Sequence, residues 1–451
     1  MSAPPVVLEK VSLVIVGGGP AGLAAALEAQ RQGLSDILLI ERDQLLGGIL
    51  NQCIHTGFGL HYFGAELSGP EYADRFSTAF TAAGIACLLD THVLEITPDR
   101  TLTILSPAGI RKIAAGAIIL AMGCRERPRG ALGIPGTRCA GILTAGMAQK
   151  LLNVQGLMPG QSVVILGSGD IGLIMARRLT LEGAKVEAVV ELMPYSSGLT
   201  RNVVQCLQDY EIPLLLSHTV VETHGRERLT GVTIAPVHPQ TQKQDLEQAR
   251  FIACDTLLLS VGLIPENELS LGAGVLLDPA TRGPRVDQSL ATSQPGIFAC
   301  GNVLHVHDLV DAVSREAEQA ARSAVAFLKQ APRPAPQDDG DRYQVPVHVP
   351  VIAPGSSTGL AAMLPVLAGP GIRSVVPQLV QRDLAPETIR LAFRPARVYR
   401  SASICLRDEH GRLVLKSQRR ILTPGEEARL EIPASHWPDP VTSQWQLSIE
   451  V

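Results

Sequence analysis

The first periodic stretch of the chain is four apolar residues, Leu13-Val14-Ile15-Val16, running straight into Gly17-Gly18-Gly19-Pro20-Ala21-Gly22. Helical spacing follows to Gln32, then Gly33, then a second apolar run, Ile37 to Ile40, which stops on Glu41. Short continuous apolar runs bounded by glycine read as buried strands, and the stretch between them keeps the 3.6-residue period of a helix. The pattern predicts strand, glycine turn, helix, strand: one βαβ unit. The same pattern then returns. Val163 to Leu166 leads into Gly167-Ser168-Gly169-Asp170-Ile171-Gly172, a helix to Glu182, Gly183, and a strand ending at Glu191. An internal repeat of this kind predicts two parallel sheets, each with helices on both faces.

Between the repeats, the pattern predicts a helix over 76–83, strands over 87–97 and 101–105, and a strand over 117–122. Beyond the second repeat, 256–261 and 297–300 read as strands and 309–330 as a long helix. Residues 331–355, rich in Pro, Asp and Gln, read as a linker. From about residue 356 the texture becomes that of a small β domain, with strands over 401–406, 413–417, 428–432 and 445–451. Asp408-Glu409-His410-Gly411 makes a turn between the first two of these. The expected fold class is α/β: two Rossmann-like dinucleotide-binding domains, the second inserted in the first, and a small C-terminal antiparallel β domain. The expected boundaries are 1–140 and 266–330 for the first domain, 141–265 for the second, 331–355 for the linker and 356–451 for the tail.

Length and charge narrow the partners. A chain of 451 residues has room for several domains. Its net charge of -4, without any Lys/Arg block, argues against nucleic acid or an anionic membrane surface. The longest apolar stretches, such as Ile113–Met122, are interrupted by glycine and fall short of the roughly 20 residues that span a bilayer. The start, MSAPPVVLEK, lacks a charged-then-apolar leader pattern, so a cytoplasmic protein without direct membrane insertion is expected. The eight cysteines form no C-x2-C or C-x4-C pair, which points to reduced thiols rather than a zinc ribbon or a local disulfide.

The two glycine loops carry the chemistry. Gly17 allows the tight turn, Gly19 lets backbone approach a pyrophosphate, and Gly22 lets the helix opened by Pro20 and Ala21 close onto the strand. The free N–H groups at that helix start favour phosphate. Glu41, 24 residues after Gly17 and followed by Arg42, stands where an acid meets an adenosine ribose. The second loop repeats these parts with Gly167, Gly169, Asp170, Ile171 and Gly172, and with Glu191 again 24 residues on. An acid there favours the free 2′-hydroxyl of NAD(H) over the 2′-phosphate of NADP(H). No arginine follows directly in Glu191-Leu192-Met193-Pro194, although Arg201 is nearby. Two dinucleotide units in one chain imply hydride transfer between two cofactors.

This arrangement resembles the two-dinucleotide-binding flavoproteins, the superfamily of glutathione and thioredoxin reductases. Gly47-Gly48 resembles the glycine pair near the FAD pyrophosphate, and Leu120-Ala121-Met122-Gly123 a strand end near FAD. Gly296 to Asn302 resembles the motif whose last residue, usually an acid, meets the flavin ribityl chain; here that residue is Asn302. Gly123-Cys124-Arg125-Glu126-Arg127-Pro128 and Gly133-Ile134-Pro135-Gly136 resemble the FAD/NAD subunits of multi-component dehydrogenases and oxidases. Sarcosine oxidase, D-hydroxyproline dehydrogenase, opine oxidase and hydrogen cyanide synthase are of this kind. Gly48 to His55 and Gly301 to Asp308 further resemble oxidoreductases associated with glycerol-3-phosphate dehydrogenases. The resemblance spans residues 10–330. It implies FAD at Gly17, Gly19, Pro20, Ala21, Gly22, Glu41, Arg42, Gly47, Gly48, Val93, Ala121, Gly123, Gly301 and Asn302. It implies NAD(H) at Gly167, Gly169, Asp170, Ile171, Gly172, Glu191 and Gly262. It also implies a partner dehydrogenase subunit of glycerol-3-phosphate or amino-acid type. The tail holds only Cys405, so an iron–sulfur cluster in this chain is not expected.

Disulfide reductases of the superfamily carry a cysteine pair just after the glycine doublet. Here Cys53 stands five residues after Gly48 and His55 seven, so that segment offers no dithiol relay. Cys53 reads either as a single redox or flavin-contacting thiol or as packing, and His55 either as a proton donor or as a hydrogen-bond partner of backbone or cofactor. His305, His307 and Asp308 fall short of the three or four convergent ligands of a metal site, so no metal is expected. Contacts at the flavin edge or capping of the next helix account for them. Glu316, Glu318 and Arg322 read as the solvated face of that helix, and Arg125, Arg127, Arg129 and Arg138 as either phosphate or partner contacts or a salt-bridged hinge. Three functions are compatible: an NAD(H)-linked flavoprotein exchanging electrons with a partner subunit, a self-sufficient oxidase or reductase using Cys53, and a non-catalytic flavoprotein scaffold.

Overall fold

The computed structural model describes residues 8–330, 363–384, 388–437 and 442–451; the predicted linker lies outside the described residues. β1 (Leu8–Val16) is buried from Leu13 onward, as a central parallel strand must be. It leads into α1 (Pro20–Arg31), and the chain returns through β2 (Ile37–Ile40). α2 (Gly69–Ala82) starts with a capping box in which Ser68 and Glu71 satisfy each other's backbone N–H groups. β3 (Gly109–Leu120) runs parallel to β1 on its other side, with Leu13 opposite Ile37 and Ala117.

The predicted strand over 117–122 is only the buried end of β3. Its first half alternates in burial because it pairs antiparallel with Thr101–Ser106. The predicted strand over 87–97 is divided into Ala86–Leu88 and His92–Ile96, and Asp90 with φ 47° breaks the extended backbone between them.

The second unit contains α3 (Ala145–Gln155), β4 (Ser162–Leu166), α4 (Asp170–Leu181), β5 (Lys185–Val190) and β6 (Thr256–Leu259). Its five-stranded parallel sheet runs Ile142–Thr144, β6, β4, β5, Leu214–Leu215. A three-stranded antiparallel sheet over residues 218–253 joins it, an element that no pattern in the sequence announced. The chain then returns to the first sheet: β7 (Ile297–Ala299) lies parallel to the end of β3, with Ile118 opposite Ile297. The second unit is thus inserted in the first. α5 (Val310–Gln330) closes the first unit, and its buried Ala317, Ala320, Ala321 and Ala324 join one core with Ala24, Ala25 and Ala26 of α1. Small side chains let the two helices approach closely.

Among the described residues, the tail forms eight β-strands in two sheets around Trp445, Phe393, Ile404 and Leu391. One pairing departs from the expected antiparallel pattern. Met363–Ala368 runs parallel to Trp445–Glu450, with Val366 opposite Trp445. These are the first and last described strands of the unit, so no tight hairpin dictates their direction. The tail docks on the first unit: Gln378 N donates to Val286 O at 3.2 Å, and Val286 N to Gln378 Oε1 at 3.1 Å. Among the described residues no helix is long and apolar enough to cross a membrane.

Candidate dinucleotide-binding cavity

The first glycine loop is closed behind and open in front. Gly17 has φ +108°, and a methyl group there would lie 2.4 Å from Ala121 O; one at Gly22 would lie 1.8 Å from Gly17 O. At Gly19 nothing comes within 4 Å. No side chain caps the start of α1, whose N-terminal N–H groups therefore face that open side. The doublet closes the loop from the far side: Gly47 N donates to Gly18 O at 2.9 Å, and a methyl group at Gly48 would meet Gly19 Cα at 3.1 Å. Glu41 is buried and accepts from Gly18 N at 2.5 Å and Asp43 N at 2.8 Å. The loop thus offers a backbone cradle with room in front, as a pyrophosphate requires.

The second loop has the same plan with different partners. Gly167 has φ +96° and sits against Ser260 O, 2.1 Å from an added methyl group, while Gly172 N donates to Ser260 Oγ at 3.1 Å. Glu191 accepts from Ser168 N at 2.9 Å, Ser168 Oγ at 2.5 Å, Ser197 Oγ at 3.3 Å and Met193 N at 2.9 Å. Asp170, first residue of α4, turns sideways to accept from Leu199 N at 2.8 Å and Asn202 Nδ2 at 2.6 Å. It fixes the loop beside the glycines.

Both loops line one continuous cavity of about 2570 Å³. That exceeds the few hundred to about 1,000 Å³ of a single small-ligand pocket and suits two dinucleotides. Arg42, Val93, Ala121, Gly123, Ile171 and Asn302 also line it, as do Cys53 and His55. Gly262 lines it too, and its carbonyl accepts from Arg127 N at 3.1 Å.

Cys53 ends a short 3-10 turn, Gly48–Gln52, that α3 pins in place. Gln52 Nε2 donates to Gly146 O at 2.8 Å, and Asn153 Nδ2 donates to Gln52 O at 2.9 Å. Cys53 Sγ donates to Ile49 O at 3.3 Å, and burial pushes its thiol up to about 12. A protonated thiol is a poor nucleophile. His55 contacts Thr56 O through Nδ1 at 3.0 Å and tilts against Phe58; burial lowers its pKa, which favours the neutral ring. The second unit abuts this segment, since a methyl group at Gly57 would lie 3.3 Å from Arg201 Nη2.

Within the arginine cluster, Arg125 and Arg127 line the cavity, and Arg125 and Arg129 also make contacts within the protein. Arg125 pairs with Glu266 and, at 2.8 Å, with Glu268, across the antiparallel pair Cys124–Glu126 and Leu263–Pro265 that joins the units. Arg129 Nη2 caps the carbonyls of Ile134 and Gly136, each at 3.0 Å. Of the expected solvated face of α5, Arg322 is exposed, as expected, whereas Glu316 and Glu318 are largely covered. Glu316 accepts from Gly301 N at 2.7 Å and meets both His305 and His307; Glu318 bonds Tyr62; Arg322 pairs with Glu28 at 3.0 Å. Burial alone would raise Glu316, but His307 and His305 hold it well below the usual carboxylate range. Burial would lower His305, yet Glu316 and Glu427 raise it to about 9. Asn302 turns its amide inward: Oδ1 accepts from His307 N at 3.0 Å, and Nδ2 faces Cys124 Sγ at 3.6 Å.

Residues 11–325 match the pyridine nucleotide-disulphide oxidoreductase family. The chain belongs to that family. Within it, the chain is 29% identical over 287 residues to hydrogen cyanide synthase subunit HcnB of Pseudomonas protegens, covering 58% of each chain. It thus spans 58% of the length of that relative. It is 27% identical over 342 residues to an opine oxidase subunit of Agrobacterium tumefaciens, covering 70% of this chain and 66% of the relative. The thioredoxin reductase of T. acidophilum has the same fold, with a TM-score of 0.58 and 24% identity over 70% of this chain and 98% of its own. Membership makes this a flavoprotein oxidoreductase that uses FAD and a nicotinamide nucleotide. Several contributors had no signal in the sequence. Ser197 and Ser260 serve the second loop, Gln52 and Gln149 hold the Cys53 turn, and Glu427 reaches His305 from the tail. Ser168, also missed, lies inside the glycine motif and could have been found there.

Proposed function

We propose that this chain is an electron-exchange flavoprotein, with FAD over the Gly17 loop, NAD(H) over the Gly167 loop, and electrons passing to or from a partner dehydrogenase subunit. Residues 1–140 and 266–330 would hold the flavin, and 141–265 the nicotinamide nucleotide. One observation carries the reading: a single cavity joins both glycine loops, and the thiol that lines it beside the glycine doublet, Cys53, is solitary there and held protonated. Bound flavin supplies two-electron redox chemistry that no side chain here provides. The chain's own work is then to bind phosphates on backbone N–H groups, fix both rings in contact and exclude water. Glu191 supports NAD(H) over NADP(H), because a buried carboxylate repels a 2′-phosphate. Two relatives are named as subunits, which supports a partner subunit; a glycerol-3-phosphate or amino-acid dehydrogenase type for it rests on the motif resemblance alone.

The test is an anaerobic absorbance titration of the purified protein. Flavin should bleach with NADH, respond weakly to NADPH and develop no thiolate charge-transfer band. Robust turnover of a simple disulfide by the protein alone would overturn the reading in favour of a self-sufficient reductase.

A further inference from the structure

Where the tail meets residues 301–308, four side chains with metal-binding chemistry converge. His305 and His307 stack with ring centroids 4.0 Å apart. Glu316 Oε2 takes Nε2 of both rings, at 3.0 Å from His305 and 3.2 Å from His307. The Nδ1 edges remain. His305 Nδ1 faces Glu427 Oε2 at 3.2 Å, and His307 Nδ1 faces Asn302 Oδ1 at 3.3 Å. Arg429 holds Glu427 through Oε1 at 3.0 Å, while Oε2 is buried with no hydrogen bond of its own. Ligand atoms of His305, His307 and Glu427 all lie within 4.8 Å of one another.

An ion-pair cluster leaves part of this site unmatched. His305 Nδ1 and Glu427 Oε2 face each other at 3.2 Å out of water, yet Glu427 Oε2 has no hydrogen-bond partner. A buried carboxylate oxygen left unmatched is costly. A divalent cation on the Nδ1 side supplies that partner. Each ring then stays neutral, binds through Nδ1 and keeps Nε2–H as donor to Glu316, the usual support of a metal-bound histidine by an outer carboxylate. Two ligands of a tetrahedral zinc stand about 3.3 Å apart when each is about 2.0 Å from the ion. The 3.2 Å between His305 Nδ1 and Glu427 Oε2 is close to that spacing.

We propose that His305, His307 and Glu427 bind one divalent transition-metal ion, foremost Zn²⁺, with Glu316 as the shared outer carboxylate and the remaining position facing Asn302. Imidazole and carboxylate together suit zinc. The third ligand could not be joined to the histidines from sequence, because Glu427 lies in the tail, more than a hundred residues beyond His305 and His307. The ion ties the tail to the flavin segment, since Glu316 also accepts from Gly301 N at 2.7 Å.

The experiment strips the full-length, flavin-loaded protein with a chelator, then titrates Zn²⁺ against a chromophoric competitor and counts metal by mass spectrometry. One ion per chain with submicromolar affinity is expected, weakened about 100-fold in His307→Gln and Glu427→Gln and about 10-fold in Glu316→Gln. Zinc-edge X-ray absorption of the wild-type protein should give only nitrogen and oxygen ligands near about 2.0 Å, with imidazole scattering. No zinc retained by the wild type, a sulfur shell, or unweakened binding in folded His307→Gln and Glu427→Gln would each overturn the proposal.

Discussion

The two glycine loops share a plan and differ in how much of each acid is already engaged. Glu41 accepts two backbone N–H groups, whereas Glu191 accepts from Ser168 twice, Ser197 and Met193. A carboxylate has about four acceptor positions, so Glu41 keeps room for a ribose and Glu191 must exchange a serine hydroxyl to make any. The glycines differ in the same sense. An added methyl group at Gly22 meets backbone, Gly17 O at 1.8 Å, while one at Gly172 first meets the Ser260 side chain, 2.7 Å to Cβ. At this glycine the proposed flavin loop is thus closed first against backbone, and the proposed nicotinamide loop first against a serine side chain.

The sharpest break in that comparison is Gly22→Ala against Gly172→Ala. Gly22→Ala should lose flavin almost completely, because overpacking against fixed backbone costs about 1–3 kcal/mol or more. Gly172→Ala should keep its flavin and lose only part of its NADH-driven reduction; absorbance at flavin wavelengths measures both. Equal flavin loss would mean that the loops do not differ in this closure. Next, Glu41→Gln should speed flavin release by about 10-fold, the effect of one weakened charged hydrogen bond. Dilution followed by flavin fluorescence reads it. Glu191→Gln should leave flavin in place and narrow the NADH over NADPH preference by about 10-fold in stopped-flow reduction. The smallest effect belongs to Cys53→Ser, which should change the rate of flavin reduction by less than about 2-fold. Because burial raises the Cys53 thiol to about 12, its thiolate fraction stays small through neutral pH and grows only as pH approaches that value. Alkylation of Cys53 by iodoacetamide should therefore remain slow near neutral pH and quicken steeply in strongly alkaline buffer.

The parallel units were legible because each strand is a short apolar run and each turn has its glycines in fixed order. Leu13–Val16 and Val163–Leu166 became central strands at the expected places. The half-buried strands were harder. β3 begins at Gly109, well before the apolar run from Ala117 that announced it, since pairing with its hairpin neighbour requires no continuous apolar surface. In the tail, Thr388–Pro395 escaped notice although its Ile389, Leu391 and Phe393 alternate into the core. The polar network around Glu316 was misread as solvated because helical spacing alone cannot tell which face another segment will cover.

By itself the sequence determined the two dinucleotide folds, the order of their parts and the lack of a dithiol beside the first glycine doublet. These are local properties, set by backbone freedom at a few glycines and by apolar period. Tertiary structure alone decided that the loops open into one cavity, that Cys53 is desolvated and protonated, and that Glu427 of the tail meets His305. Those facts depend on contacts between segments far apart in the chain, whose partners no local pattern encodes.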